Sequence, residues 1–169
     1  MKIAFPPLGR LEDCYLECFS DASFGNLPDC GSQGGMVIFI ANKEGLRCPI
    51  YWQSKKIRRV ARSTLAAETL ALSDCVDEAT YLSNLISELF RVPKMKVHCF
   101  VDNRSLVEAI NSSKPVEGKR LRIEVAVIQD MISRNEIHSV TWIPTADMLA
   151  NCLTKMGASS KALLEAISM

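Results

Sequence analysis

YLECFSDASFGNLPDCGSQGGMVIFIANKEGLRCPIYWQS, residues 15–54, reads as three strands in a row. The run from Cys14 to Ser20 is rich in apolar and β-favouring residues and ends at Asp21. The Gly, Asn, Pro and Ser of SFGNLPDCGSQGG then demand a loop. GMVIFIA supplies the second strand, NKEG a turn, and LRCPIYWQS the third, so the segment predicts an antiparallel meander. From about Ala61 to Phe90 there is no Gly or Pro. Leu65, Leu72, Val76, Ala79, Leu82, Ile86 and Leu89 recur at three- and four-residue steps, which predicts a long amphipathic helix stopped by Arg91, Val92 and Pro93.

Downstream, strand and helix alternate. KVHCFVD (96–102) is a short strand, NRSLVEAINSS (103–113) a short helix, and KPVEGKRLRIEVAVIQDMISRN (114–135) contains a second amphipathic helix. EIHSVTWIP (136–144) is a fifth strand. A last helix is expected from Thr145, placed as an N-cap after Pro144, with one or two further turns over residues 158–168. The order βββαβα(α)βα predicts an α/β fold: a five-stranded mixed sheet with helices on both faces. A chain of 169 residues, 48% of them hydrophobic, can bury a core as one domain over residues 1–169, with flanking extensions outside about 13–156.

Composition removes several classes of function. The seven cysteines form no CxxC pair and no Cys/His zinc spacing, and several lie in apolar runs, as reduced buried thiols do. They favour an intracellular location over secretion. No apolar stretch reaches the roughly 18 residues that span a bilayer, and MKIAFPPLGR lacks the apolar region of a signal peptide, so no membrane is expected as a partner. The net charge of +1 is uninformative, but KKIRRVAR gathers Lys55, Lys56, Arg58, Arg59 and Arg62 without an acid, which suits a polyanion.

Three acids stand apart. Asp21 and Asp102 each end a strand-like run, where an Asx-turn or a helix cap also accounts for an Asp. Glu68, three residues after Leu65 and four before Leu72, shares the core-facing stripe, where an unpaired carboxylate costs several kcal/mol. A divalent cation held jointly by Asp21, Glu68 and Asp102 explains all three positions and points to phosphoryl chemistry. Asp147 has an ordinary place in the first turn of its helix. Trp52 and Trp142, in strand-like runs, are expected in the core.

SDASF, YWQSKKIRRVARSTLAAETLAL, FVDNRSL, GKRLRIEVAVI and TADMLANCLTK, in that order over about residues 15–156, resemble the ribonuclease H domain of copia-type retrotransposon polyproteins. The resemblance implies an RNase H fold and Mg²⁺-dependent hydrolysis of the RNA strand of RNA–DNA hybrids, with Mn²⁺ able to replace Mg²⁺. It implies two ions: Asp21 bridging both, Glu68 and Asp102 on the leaving-group ion, and residue 151 on the ion that activates water. It also implies hybrid contacts by Ser23, Asn103 and Arg104, alongside the basic stretch. A reverse transcriptase normally precedes this domain, and the element's cytoplasm, virus-like particle or nucleus is the implied setting. The domain is expected to act as a monomer. Where the family has its fourth Asp, this chain has Asn151. An amide donates an oxygen without charge, so sharply reduced turnover with hybrid binding largely kept is expected. The Asn is compatible with a substitution made to trap substrate, with decay of the element, or with transfer of the ligand role to Asp147 one turn back. The alternative function is an inactive module of the same fold that binds nucleic acid or protein; a transposase core fits less well because Glu68 comes early.

Overall fold

The computed structural model describes residues 2–113 and 115–168. Strands β1 (Tyr15–Ser23), β2 (Gln33–Ala41) and β3 (Arg47–Lys56) form the expected meander, each paired antiparallel to the next. Helix α1 (Thr64–Phe90) crosses to β4 (Val97–Val101), which lies parallel to β1. Helices α2 (Arg104–Asn111) and α3 (Lys119–Ser133) lead to β5 (Ser139–Trp142), parallel to β4. The sheet order β3-β2-β1-β4-β5 puts β1 at its centre.

Alternation along the strands divides the core in two. Leu16, Cys18, Met36, Ile38, Val97, Cys99 and Val101 meet Leu72, Cys75, Val76 and Ala79 of α1, Leu106 and Ile110 of α2, and Val125 and Ile128 of α3. Phe19, Val37 and Phe39 face the opposite way and meet Met148, Leu149, Ala150 and Ala166, the last on α4 (Lys161–Ser168). Helices therefore cover both faces, as the sequence pattern requires. All seven cysteines are free, five of them buried; Cys30 is exposed and Cys152 half-buried.

Helix α1 starts three residues later than the periodicity suggests. Ser63 is extended and its side chain accepts from the Ala66 amide at 3.1 Å, so the cap, not the end of the basic run, sets the boundary. Arg91, left-handed at φ 54°, ends the helix ahead of Pro93.

Two expectations are corrected. The helix predicted from Thr145 is instead two 3₁₀ turns, Thr145–Asp147 and Asn151–Leu153, and Thr145 makes no side-chain cap. Met148, Leu149 and Ala150 are consecutive and all buried, packed on Phe19, Val37 and Phe39 of the sheet, and the Ala150 carbonyl and the Leu153 and Thr154 side chains close onto the bare backbone of Gly35, which seats the short turns against β2. Trp52, on the edge strand β3, is 57% exposed and lines an open apolar groove with Ile3, Leu163 and Ile167 rather than entering the core. Trp142 is half-buried, and its ring serves the site described next.

Candidate functional site

Asp21 lies on the central strand, opposite Gly35 of β2, and is fully buried. It is two residues from the end of β1 and makes no turn into the following loop. Asp102 follows β4, the parallel neighbour of β1, so the sheet brings the two Asp side by side. Asp102 does not cap α2; Asn103 does, its Oδ1 accepting from the Leu106 amide at 3.0 Å. Glu68 comes from the second turn of α1 and is 4% exposed. Carboxylate oxygens of Asp21, Glu68 and Asp102 lie within 4.8 Å of one another.

The electrostatics of this cluster are unfavourable without a cation. Burial, then the nearby charges of Asp21 and Asp102, push the Glu68 carboxyl up to about 9. Asp21 is also raised, chiefly by burial, against the lowering effects of the Thr154 hydroxyl and the Lys155 ammonium. Asp21 Oδ1 and Glu68 Oε2 are buried with no hydrogen-bond partner. Two orphaned acceptors in an all-oxygen cluster are what a hard divalent cation satisfies, so these residues fit Mg²⁺ or Mn²⁺.

Asn151 opens the second 3₁₀ turn and is half-buried, and its Oδ1 accepts from Lys155 Nζ at 2.7 Å. Lys155 Nζ is 3.6 Å from Asp21 Oδ2, the oxygen to which Thr154 Oγ1 also donates. Sequence reasoning gave Thr154 and Lys155 no role. The one available signal was spacing, since Lys155 stands four residues after Asn151, and that says nothing of Asp21. Asp147 is exposed, belongs to the separate first turn and is not among the clustered acids of the described residues. The proposed substitution of Asp147 for Asn151 on a shared helix face is therefore corrected: there is no such helix.

Glu68 and Asp102 line a cleft of about 550 Å³ whose walls also include Ser23, Phe24, Asn103, Arg104 and Lys155, while Asp21 lies buried behind them. The Arg104 guanidinium sits 4.0 Å over the Trp142 ring, and Trp142 Nε1 donates to the Asp102 carbonyl at 3.1 Å. One aromatic side chain thus fixes both a cation at the cleft and the backbone bearing an acid. The basic stretch lines a different groove, of about 460 Å³, formed by Lys55, Lys56, Arg58 and Arg59. Acids remote in sequence pair with it: Asp74 with Lys55 at 3.1 Å, Asp29 with Lys56, and Glu124 with Arg59. Arg58 and Arg62 are exposed.

No family model matches the chain. It is 30% identical over 145 residues, 85% of its length, to the Transposon Ty1-DR5 and Ty1-H Gag-Pol polyproteins of Saccharomyces cerevisiae. The chain spans about 8% of the length of those relatives. Its fold matches LC11-RNase H1 in complex with an RNA/DNA hybrid, with a TM-score of 0.60 and 18% identity over 88% of this chain and 99% of that one. RNase H1 of the halophilic archaeon Halobacterium salinarum matches at 0.58, with 14% identity over 89% of this chain and 98% of that one. The foamy viral protease-reverse transcriptase in complex with an RNA/DNA hybrid matches at 0.60, with 13% identity over 93% of this chain but only 22% of that one. No helix among the described residues is long and apolar enough to cross a membrane.

Proposed function

We propose that this chain, which belongs with the ribonuclease H-fold segment of copia-type retrotransposon Gag-Pol polyproteins, hydrolyses the RNA strand of RNA–DNA hybrids. The observation that carries the reading is the pair of orphaned, buried carboxylate oxygens on Asp21 and Glu68 beside Asp102. Asp21, Glu68 and Asp102 would hold Mg²⁺, or Mn²⁺ in its place. When bound, such a cation offsets charge on the scissile phosphate and makes water a better nucleophile.

The chain's own groups would orient the hybrid around that centre. Arg104, held over Trp142, presents a rigid guanidinium to a backbone phosphate near the acids. Asn103, in the cleft wall, would offer its side-chain amide hydrogens to RNA 2′-hydroxyls or phosphates; Ser23 lines the same cleft, and its buried hydroxyl would serve only on a substrate seated deeply there. Lys55, Lys56, Arg58, Arg59 and Arg62 would follow the backbone further along, with Arg58 and Arg62 contributing most because acids already engage the other three. As the matching region of the foamy viral chain is part of a protease-reverse transcriptase, we infer that a reverse transcriptase presents the hybrid here too.

Asn151 supports slow turnover. An amide there contributes no charge, and its oxygen is already bonded to Lys155. The same observation favours a second reading, a module that binds hybrids without cutting them. Cleavage of a labelled RNA–DNA hybrid in Mg²⁺ and in Mn²⁺ separates the two. Expected are weak cleavage by the native chain, a gain of about tenfold or more in Asn151→Asp, and none in Asp102→Asn. Hybrid binding without cleavage by either the native chain or Asn151→Asp would establish the binding module instead.

A further inference from the structure

Between Asp21 and Asn151 the chain already supplies a cation of its own. Lys155 Nζ lies 3.6 Å from Asp21 Oδ2 and 2.7 Å from Asn151 Oδ1. The Thr154 hydroxyl takes the same Asp21 oxygen. The two oxygens of Asp21 therefore have different fates. Oδ2 is engaged by two donors from the chain, whereas Oδ1 is buried with no partner, as is Glu68 Oε2.

A carboxylate that bridges two ions through its two oxygens needs both of them available, and Asp21 Oδ2 is already engaged by Thr154 and Lys155, which leaves Oδ1 alone without a partner. A second divalent ion beside Asp21 and Asn151 would also have to approach an ammonium group at close range, with a neutral amide where an anion would otherwise offset the repulsion. Lys155 is anchored at both contacts yet half-buried, so its position does not depend on the deep core. We propose that the Lys155 ammonium takes the place of a second metal ion, so that the native site binds one divalent cation, held by Asp21, Glu68 and Asp102. This rests on the metal-dependent reading above and narrows it to a site with one metal ion and one built-in cation. The pairing also accounts for Asn151: its amide oxygen accepts from the ammonium without adding a fourth negative charge to draw in a second ion.

Counting bound Mn²⁺ tests this without reference to activity. Paramagnetic resonance reports free Mn²⁺ during titration of the full chain, and a closely spaced pair of ions gives a coupled signal that a single ion does not. The native chain should bind one ion, and Lys155→Arg, which keeps the charge, should also bind one. Lys155→Met should bind its first ion about tenfold more tightly, because a nearby positive charge has gone. Asn151→Asp combined with Lys155→Met should bind two, with the coupled signal. Two ions in the native chain, one in the double variant, or an affinity unchanged by Lys155→Met would overturn the proposal and leave the nuclease reading standing. No Mn²⁺ bound by any of the four proteins would overturn both.

Discussion

Glu68 shows at the residue scale how function and stability are set against each other. Its carboxyl is almost fully buried, faces two other acids and is raised to about 9 by burial and their charges. Glu68→Gln keeps the shape and removes the titrating group. In EDTA the variant should be more stable than the native chain by about 1–2 kcal/mol in urea unfolding, since a buried acid beside like charges is replaced by a neutral amide. It should at the same time lose the stabilisation that Mg²⁺ gives the native chain. A Gln variant that is less stable in EDTA would mean that the proton on Glu68 makes a structural hydrogen bond rather than relieving repulsion. Glu68 was legible in the sequence because an acid on an apolar helical stripe is an anomaly wherever the helix packs. Lys155 was not, because a lysine near a chain's end is ordinary until its neighbours are known.

At the scale of elements, the glycine pair on β2 decides how closely the last turns approach the acids. Gly34 and Gly35 sit opposite Ala22 and Asp21, and alternation turns them to opposite faces. A Cβ on Gly35 would lie 2.8 Å from Leu153 Cβ and from Thr154 Cγ2, and 3.3 Å from the Ala150 carbonyl. A Cβ on Gly34 would meet the flexible Ile57 Cγ1 at 3.3 Å, on the α1 side. Gly35→Ala should therefore push the Asn151–Leu153 turn off the sheet and cost about 1–3 kcal/mol, with faster amide exchange over residues 150–155. Gly34→Ala should cost less and leave those amides protected. Equal effects from the two would show that the turn is not seated by close contact with β2. The same close seating on Gly35 holds the TADMLANCLTK segment as two short 3₁₀ turns, although its periodicity looked helical.

For the whole molecule, the buried acids Glu68 and Asp21 tie stability to pH. Glu68 and Asp21 both have folded-state values above their unfolded ones, so in the metal-free chain the stability they confer is complete below the unfolded values and is lost as pH rises through the folded ones. For Glu68 that loss runs from the ordinary carboxylate range to about 9. His98 acts in the opposite direction, because burial and His138 push it below its ordinary value, so its contribution is lost as pH falls. That effect lies at the acidic end, which leaves the interval from pH about 7 to about 9 to Glu68. Over that interval the melting temperature in EDTA should fall as pH rises, and excess Mg²⁺ should flatten the slope by taking the proton's place. Parallel curves with and without Mg²⁺ would argue that no cation binds at the acids.

Local pattern in the sequence was enough for the three-strand meander, α1 with Glu68 on its buried stripe, the alternation that follows, and Asp102 just past the end of β4; Asp21, read as ending its run, lies inside β1, which continues to Ser23. The meander, α1 and the alternation are properties of period and turn chemistry, which tertiary packing left intact here, unlike the helical pattern from Thr145. Tertiary structure alone decided what shares a point in space. The order β3-β2-β1-β4-β5 places Asp102 beside Asp21, leaves Trp52 on an edge and turns Trp142 toward Arg104. It also pairs three of the five cations of the basic stretch with Asp29, Asp74 and Glu124, and brings Lys155 to Asp21 from a distant part of the chain. The physical reason is that side-chain period records which face of an element meets the core, whereas charge acts through distance, and distance between remote residues is fixed only when the sheet closes around its central strand.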